Sequence, residues 1–483
     1  MSRAWAAALV FAGGVVAGQG AEAPQVVQEP RVPFGVIIAE QARASFTLRG
    51  AGARAAGMGG AFTAVADDAT AASFNPAGLA QLRLPEISVV YSNQQLEDRY
   101  TGFISFGETP PLRLTDSSDT FSRDGLNFVS ATLPFRMAGK HWAVQLSEQR
   151  MVNFDYDAVF TFFGDQADGS ARLASIVQSS QQSGSIKART VSLALEVTDR
   201  TLLGVAYNSW DGQWDFTSYN ARSLIDSPDE PIFFGYTQAS RLRAQNLDLG
   251  LLLRYTHFRV GVRYRRSFEA SYSFSGDTVS NLPLSITSLP PIDTRLHWPS
   301  SLNIGVSLQL SDRWLMALDW GRTDWKEMTF DPGDKVQTGF FDLLRVGETT
   351  AGVSSDWRIG SEYLFFVGDA VVPVRAGVFR EPRPSRDLVT RERLVRRGFS
   401  VGAGIKWKTI AADLTVSRTR ASAEVSRFFM PSNLDTENLF FNSFGNLEKA
   451  ETTVIASLIL QIPEGSRLSR VLGRVFVGPG NDD

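Results

Sequence analysis

Charged side chains recur in the middle of the chain at spacings that would let them bind an anion. Arg254, Arg259, Arg263 and Arg265 lie within one short stretch, and Asp248 precedes them. A guanidinium group can hold a carboxylate through paired hydrogen bonds, so these arginines could grip an acidic head group. Alternatively, they pair with acidic neighbours such as Asp248 and keep an interior polar. The residues alone leave both interpretations open.

Catalytic motifs are missing from the sequence. It has no Gly-x-Ser-x-Gly nucleophile elbow and no phosphate-binding loop. His141, His257 and His297 are far apart, and the chain has no cysteine, so no metal-ligand spacing is present. We therefore expect neither an enzyme nor a cofactor. The alternative is a lipid hydrolase whose catalytic residues come together from distant strands, with His141 as the group to test.

A stretch of small residues, RAAGMGGAFTAVADDATAASFNPAGLA, runs from Arg54 to Ala80. Its glycines allow tight folding, Asp67 could cap a short helix through Ala72, and Pro76 disfavours helix at Asn75. This composition predicts a compact element and not a strand. We interpret it as a plug inside a barrel formed by the rest of the chain. The plug or gate residues are then Gly57, Gly59, Gly60, Asp67, Asp68, Phe74, Asn75, Pro76 and Ala77.

From Glu86 onward the dominant hydrophobic period is two, which indicates strands with one apolar and one polar face. Between Ser301 and Leu310, for example, leucine, isoleucine and valine alternate with small or polar residues. Strands are predicted near 86–93, 124–135, 141–157, 186–198, 201–217, 241–257, 258–274, 295–310, 313–330, 348–367, 371–382, 398–408, 410–425 and 449–462.

The connections between these strands alternate in length. Tight turns such as 198–201, 310–313 and 408–410 alternate with long segments, predicted as loops at 94–123, 158–185, 218–240, 275–294, 331–347, 383–397 and 426–448. Short turns on one rim and long loops on the other are typical of outer-membrane barrels, as is an even count of about 14 strands. The fold class is therefore an all-β transmembrane antiparallel barrel with an N-terminal plug.

Bulk properties agree with an exported membrane barrel. The 483 residues carry a net charge of −3, which gives no reason to expect nucleic acid as a partner. The mean hydropathy of −0.09 is too low for a bundle of membrane helices. Arg3, an apolar core and Ala21-Glu22-Ala23 form a signal peptide. The expected division is 1–23 signal peptide, 24–85 plug or hatch, 86–463 transmembrane barrel and 464–483 periplasmic tail.

Aromatic residues suggest both membrane interfaces and ligand contacts. Seven tryptophans lie toward strand ends, where an interfacial girdle belongs: Trp142, Trp210, Trp298, Trp314, Trp320, Trp357 and Trp407. The predicted long loops are unusually apolar, which favours a surface that binds hydrophobic ligand. The alternative is that these loops pack on one another as a lid. The ligand-binding candidates are Phe162, Phe163, Phe340, Phe341, Phe440, Phe441, Arg259 and Arg263.

The sequence resembles the FadL/TodX type of long-chain fatty acid and hydrocarbon transporters. The stretch ADDATAASFNPAGLA resembles that family's N-terminal hatch, and HWPSSLNIGVSLQLSDRWLMALDWGRTDW resembles a late barrel hairpin. FRVGVRYRRSF, SEYLFFVGDAVVPVRAGVFREPRP and FSVGAGIKWKTIAADLTVSRTRA resemble its Gly-centred hairpins. The resemblance implies a 14-stranded barrel, an internal hatch, and release of ligand sideways through a kink in the third strand. Two features depart from this pattern, because 143–156 contains no Gly or Pro and the chain continues past its last strand.

The functional hypothesis is passive uptake of a hydrophobic small molecule, a fatty acid or a hydrocarbon, gated by the plug. The barrel would lie in the outer membrane of a Gram-negative bacterium as a multi-pass monomer with both termini in the periplasm. Its partners would be the ligand and the lipid or lipopolysaccharide around it. The alternatives are a scaffold or secretion-shuttle barrel that binds a protein, and the lipid hydrolase mentioned above.

Overall fold

The structure, a computed structural model, describes residues 50–106, 112–165, 172–224, 232–281, 288–331, 338–339, 351–384, 386, 393–429 and 441–463, and the statements below concern these residues. The predicted signal peptide, the approach up to residue 49 and the predicted tail 464–483 lie outside them. So do three of the candidate ligand residues, Phe340, Phe341 and Phe440.

The described residues are dominated by antiparallel strands. In chain order the strands are β1 (Glu86–Phe106), β2 (Leu112–Met137), β3 (Lys140–Asn153), β4 (Tyr156–Asp165), β5 (Arg172–Thr198), β6 (Thr201–Leu224), β7 (Ile232–Arg254), β8 (Phe258–Arg265), β9 (Phe268–Ser280), β10 (Ser288–Trp298), β11 (Ser301–Ser311), β12 (Trp314–Asp324), β13 (Thr329–Asp331), β14 (Thr338–Gly339), β15 (Val353–Val367), β16 (Ala370–Pro382), β17 (Val395–Trp407), β18 (Ile410–Phe429) and β19 (Phe441–Gln461).

These segments form one closed sheet. Neighbouring wall strands pair antiparallel, and β1 pairs along its whole length with β19, from Glu86↔Gln461 to Phe106↔Phe441. Five wall strands are each built from two segments in succession: β3 with β4, β8 with β9, β10 with β11, β12 with β13, and β14 with β15. The wall therefore has 14 strands, as the alternating pattern predicted. Closure leaves no unpaired edge strand.

The two faces of the wall differ in polarity as the period of two requires. On β7, Leu247 and Leu249 are exposed on the outside, whereas Asp248 between them is buried. The same pattern repeats around the ring and creates an outer apolar belt beside a polar inner face. Trp314, Trp357 and Trp407 lie on the outside of this belt, each more than 40% exposed.

Two predictions about the wall were wrong. The long segments predicted as loops are mostly strand, because β1, β2, β5, β6, β7 and β19 all continue well beyond the apolar belt. On the continuation of β6 the outward residues are Ser209, Asp211 and Asp215, which suit water and not lipid. Trp210 and Trp298 also do not belong to an interfacial girdle, because both are buried inside the barrel.

The N-terminal segment, residues 50–85, forms short helices in place of a strand. They are α1 (Ala53–Gly57) and two 3₁₀ helices, η1 (Ala71–Ser73) and η2 (Pro76–Gln81); a third, η3 (Trp325–Glu327), joins β12 to β13. Asn75 is extended, and its side chain caps η2 by accepting from Ala77 N, as Pro76 led us to expect of the chain break there. The predicted cap at Asp67 was wrong, because Asp68 accepts from Thr70 instead.

Contacts of the N-terminal segment reach strands from all parts of the ring. Its backbone bonds to side chains of β2, β3, β8, β12, β17 and β18, and Asn75 bonds to the backbone of β7. The segment therefore lies within the ring. Among the described residues, no helix has the length and apolar character that crossing a membrane requires.

Candidate passage and binding site

Glycines of the wall let the N-terminal segment lie directly on the strand backbone. A Cβ atom at any of six wall glycines would come within 3.0 Å of a segment backbone atom, for example 2.2 Å from Gly59 N at Gly377. The six face one another in register pairs, namely Gly204 with Gly250, Gly261 with Gly305, and Gly360 with Gly377. We call these residues the glycine belt. A larger side chain at the belt would force the segment away from the wall.

Three glycines of the segment, which the sequence analysis assigned to the plug, also allow close contact between the segment and the wall. Gly59 and Gly60 have φ angles of 67° and 83°, in the left-handed region that favours glycine. Gly57 is the last residue of α1, and a Cβ there would approach Thr415 Oγ1 to 2.9 Å. Ser400 Oγ bridges this turn by donating to Gly57 O and accepting from Gly59 N, both at 3.0 Å.

An ion-pair network also joins the segment to the wall. Arg54 donates to both carboxylate oxygens of Glu362 at 2.9 Å and to Asp67 at 2.5 Å. Arg375 extends the network from Glu362 to Asp413, with both distances at 2.6 Å. Burial alone would lower the pKa of Arg54, but the carboxylates of Asp67 and Glu362 raise it well above its ordinary value. Arg54 therefore stays charged and ties the segment to β15.

Polar groups inside the segment are satisfied by buried partners. Asp319 Oδ2 on β12 accepts from Phe62 N and Thr63 N, each at 2.9 Å. Asn75 is fully buried, and its Nδ2 donates to Thr63 O and to Leu251 O of β7, both at 3.0 Å. Burial raises the pKa of Asp68, although Arg54 and Thr70 oppose the rise. Phe74 packs edge-on against Phe62 at 5.1 Å between ring centres.

Pro76 and Ala77 occupy the start of η2, where the segment meets β6 and β7. Both are buried, and a Cβ at Gly204 would lie 2.3 Å from Ala77 N. The nine predicted plug residues therefore come together in one packed element, and all of them except Asp67 and Gly60 are buried.

The two predicted ligand arginines lie against this segment. Arg259 is 3.4 Å from Asp67, and Arg263 pairs with Asp248 while donating to Ser73 O at 2.7 Å. Arg265 pairs with the same carboxylate, with Arg265 Nε 2.9 Å from Asp248 Oδ1. This arrangement matches the interpretation that charged inner residues pair with acidic neighbours, and a role for Arg259 and Arg263 in ligand binding stays a prediction.

A cavity of about 190 Å³ lies between the segment and the wall. Gly59, Thr63 and Phe74 contribute to its lining from the segment. The wall contributes five arginines together with acids and amides: Arg123, Arg150, Arg263, Arg358, Arg396, Asp319, Glu381, Glu451, Asn127 and Asn303. Its lining is therefore strongly polar on the wall side.

An aromatic cluster fills the interior on the side of the long connections. On β6, Gly204 touches the segment, and Trp210 follows six residues later, about 20 Å further along the strand. Trp210 lies 5.5 Å from Trp298 between ring centres, and Trp298 lies 6.2 Å from Trp325. The cluster is the set of buried aromatics Phe154, Trp210, Trp214, Phe268, Tyr272, Phe274, Trp298 and Trp325. Sequence reasoning missed it, although the alternation of Trp210 and Trp214 with Asp211 and Asp215 carried the signal.

The wall is interrupted between β2 and its neighbour. β2 pairs with β3 from Met137↔Lys140 to Phe128↔Gln149, and it pairs again with β4 only at Leu114↔Gly164 and Arg113↔Asp165. Residues 115–127 of β2 and 150–163 opposite them have no ladder between them. We call this the wall gap.

The wall gap coincides with a break in the third wall strand at 154–155. Phe154 N donates to Gly184 O at 3.0 Å, and Asp155 accepts from Gly184 N at 3.0 Å, so the break stays attached to β5. Phe154 stacks on Trp214 with 4.4 Å between ring centres, which places the aromatic cluster beside the gap. The absence of Gly and Pro from 143–156 argued against an opening here, yet the ladder is absent.

Side chains bridge the wall gap where the ladder is missing. Phe121 of β2 contacts Tyr156 of β4 edge-on at 4.6 Å between ring centres. Asp119 accepts from Val159 N at 2.6 Å. Such contacts can open by rotation of side chains, whereas a ladder opens only when several backbone hydrogen bonds break together.

The apolar residues predicted for loops lie elsewhere or outside the described residues. Phe162 and Phe163 belong to β4 and Phe441 begins β19, so their backbones are strand and not loop. Phe163 is partly buried. His141 was the candidate base of a hydrolase, and its Nε2 lies 2.8 Å from Leu82 O.

Comparisons with known proteins agree with this architecture. A model of an uncharacterised protein family (UPF0164) matches residues 31–110. No curated protein sequence matches the chain. Among solved structures, a Pseudomonas aeruginosa FadL homologue is similar at 13% identity and a TM-score of 0.63, covering 86% of this chain and 100% of that one. The P. putida toluene transporter TodX is similar at 14% identity and a TM-score of 0.50, covering 86% and 99%.

The fold is therefore that of the FadL-type barrels, a closed 14-stranded antiparallel wall. This confirms the fold that the sequence resemblance implied. At these identities the similarity establishes the fold and leaves the ligand to be argued from the chain's own residues.

Proposed function

We propose that the protein is an outer-membrane channel for passive uptake of hydrophobic small molecules, with the N-terminal segment as its plug. The observation that carries the proposal is the wall gap beside the aromatic cluster. Together they offer an apolar interior and a sideways exit. The similar structures are described as a FadL homologue and a toluene transporter, which supports the same class of ligand.

The outer apolar belt supports the proposed location in the outer membrane. Exposed leucines, valines and aromatics surround the ring on the outside, while the inner face carries Asp248, Glu362 and Arg375. In water such a belt would cost a large hydrophobic free energy, at about 25 cal/mol per Å². In a bilayer the belt faces hydrocarbon, and the closed sheet satisfies the backbone groups. The strands that continue past the belt project on the side of the long connections.

The proposed route has three parts. A hydrophobic ligand enters the aromatic cluster from the side of the long connections, reaches the cavity above the segment, and leaves through the wall gap. The segment blocks the direct path toward the short turns. Its glycine-belt contacts and buried ion pairs favour a plug that changes shape locally and does not leave the barrel.

The plug is tested by substituting Asn75→Ala together with Pro76→Ala. The Asn75 side chain links the segment to the wall, because it bonds to the backbone of Thr63 in the segment and of Leu251 on β7. Each lost buried hydrogen bond costs about 1 kcal/mol, so the segment loosens while the wall keeps its ladder. Because the loosened segment no longer holds its gating position, we expect uptake of a labelled fatty acid or alkane by cells to fall at least about threefold, with heat-modifiable migration unchanged. Uptake equal to that of the unsubstituted protein would contradict a gating role.

The matched control is Gly235→Ala. A Cβ at Gly235 would meet its nearest atom at 3.5 Å, an ordinary contact that lies on the wall away from the segment.

If cells with and without the gene take up every ligand equally, the alternative of a scaffold or shuttle barrel is favoured. The hydrolase alternative is tested at His141, whose Nε2 lies 2.8 Å from Leu82 O. Release of fatty acid from phospholipid that is abolished by substituting His141 would support that alternative.

A further inference from the structure

Two arginines at the wall gap differ from the other arginines of the cavity. Arg263 pairs with Asp248, Arg358 with Asp356 and Glu381, and Arg396 with Glu451. Arg123 and Arg150 have no carboxylate within ion-pair distance among the described residues. They lie on opposite sides of the gap, Arg123 on β2 and Arg150 on β3.

Each of these arginines reaches across the gap to the backbone of the opposite strand. Arg123 Nη1 donates to Asn153 O at 2.9 Å, and its Nε donates to Gln94 Oε1 at 2.5 Å. Arg150 Nη1 donates to Asp124 O at 3.2 Å. The arrangement is reciprocal and replaces the missing ladder with two charged side chains.

The carboxylates that act electrostatically on Arg123 and Arg150 are engaged by other groups. Glu451 pairs with Arg396, Asp124 accepts from the Tyr91 hydroxyl, and Asp155 accepts from Gly184 N at 3.0 Å. Arg123 and Arg150 repel each other electrostatically, and both are partly shielded from solvent. An anion is attracted by both guanidinium groups and offsets their mutual repulsion, which neutral carbonyl oxygens cannot do. Carboxylate and phosphate groups can also accept paired hydrogen bonds from one guanidinium.

We propose that Arg123 and Arg150 form a latch across the wall gap that an anionic head group opens. The ligand would be an amphiphile with an apolar chain and a carboxylate or phosphate group. Its chain would lie against Phe154 and the aromatic cluster, and its head group would replace the carbonyl acceptors of both arginines. The gap then opens only to a ligand with that charge. This inference rests on the proposed function, because it uses the gap as the exit.

Binding by the purified barrel tests the latch. The probes are palmitate and 1-hexadecanol, which share a chain length and differ in charge. In the variant Arg123→Gln with Arg150→Gln, the side chains can still donate to the carbonyls but carry no charge. We expect palmitate affinity to fall about tenfold or more, since hydrogen bonds to charged groups are the strong ones, and hexadecanol affinity to change less than about twofold. Arg123→Lys with Arg150→Lys keeps the charge and should recover part of the palmitate affinity.

A second measurement follows the gap itself. The chain has no cysteine, so spin labels at Ser122→Cys and Asp157→Cys report the distance across the gap without further changes. Palmitate should lengthen this distance in the unsubstituted background and not in the double Gln variant, while hexadecanol should not lengthen it. A change on moving from zwitterionic to anionic lipid, with no palmitate added, would identify membrane lipid as the source of the anion.

The outcomes separate the two proposals. The control Arg243→Gln removes an exposed arginine that pairs with Asp211 on the outer face, and it should leave both affinities unchanged. If hexadecanol binds and palmitate does not, or if the Gln variant loses both ligands equally, the latch is wrong while the channel stands. If neither probe binds the unsubstituted protein, both the proposed channel function and the proposed latch are wrong.

Discussion

Two seams on either side of the first hairpin show how differently one barrel can join its strands. Between β1 and β19 the ladder is continuous over all 21 residues of β1, with no shift in register. Between β2 and its neighbours the ladder stops at Phe128 and resumes at Leu114, and side chains fill the interval. The first seam closes the ring with a complete ladder, and the second seam has the side-chain contacts that our proposed exit requires.

A cross-link across the gap should have the largest effect. Phe121→Cys with Tyr156→Cys places two thiols where the rings now touch, and a short bis-maleimide joins them. Because the linked strands can no longer part, we expect ligand uptake to fall at least about tenfold. Radiolabelled ligand uptake before and after cross-linking measures the effect.

The control for this cross-link uses the closing seam. Gln95 and Thr452 are register partners on β1 and β19, and Gln95→Cys with Thr452→Cys should be linked without loss of uptake. Loss of uptake from both cross-links would mean that the whole wall must flex, and the distinction between the two seams would then be wrong.

Hydrogen exchange should show an intermediate difference. Alternate amides of a strand point to opposite neighbours, so about half of those in residues 115–127 face the gap without a ladder partner. A ladder hydrogen bond contributes about 1 kcal/mol, and several acting together protect an amide far more. We expect the gap-facing amides to exchange at least about tenfold faster than those of residues 88–100 on β1, measured by mass spectrometry in micelles. Equal protection in both peptides would argue for a ladder that the structure lacks.

The smallest expected effect is at Gly125. Its φ of 134° is one that other residues avoid, and a Cβ there would lie 3.0 Å from Arg150 Nη1. Gly125→Ala should therefore destabilise the barrel by about 1–2 kcal/mol and loosen this side of the gap. Denaturant unfolding followed by gel migration measures the loss, and Gly235→Ala, with an ordinary backbone and ordinary contacts, should change stability by less than about 0.5 kcal/mol.

Much of the wall could be predicted because alternation is a local property. Leu302, Ile304 and Val306 mark one face whatever surrounds them, and the short turns at 198–201 and 310–313 fall where the structure has them. The continuation of β5 was missed because residues 178–185, QSSQQSGS, contain no apolar residue and therefore show no alternation. Its pairing with β4 on one side and β6 on the other makes that stretch a strand.

The site was harder to predict because it depends on pairing between strands. Gly57, Asn75 and their neighbours were found as a group because their composition is unusual for a barrel strand. The wall gap has no such signature, because neither residues 115–127 nor residues 150–163 contain a proline that would prevent a ladder. The bulge at Asn127, where β1 and β2 change register, becomes visible only when both partners are compared. Arg123 and Arg150 are ordinary lumen charges until their partners are known.

The glycine belt also constrains the order of assembly. Met58 and Phe62 are completely enclosed, and the segment touches glycines of β6, β7, β8, β11, β15 and β16. Ile462, just after the last strand, donates to Pro85 O, just before the first strand, at 2.8 Å. We therefore expect the segment to be in position before the β1–β19 seam closes, since a finished ring has no room to admit it. A cell that makes this barrel would have to keep the first and last strands apart until the segment that precedes β1 is packed inside the ring.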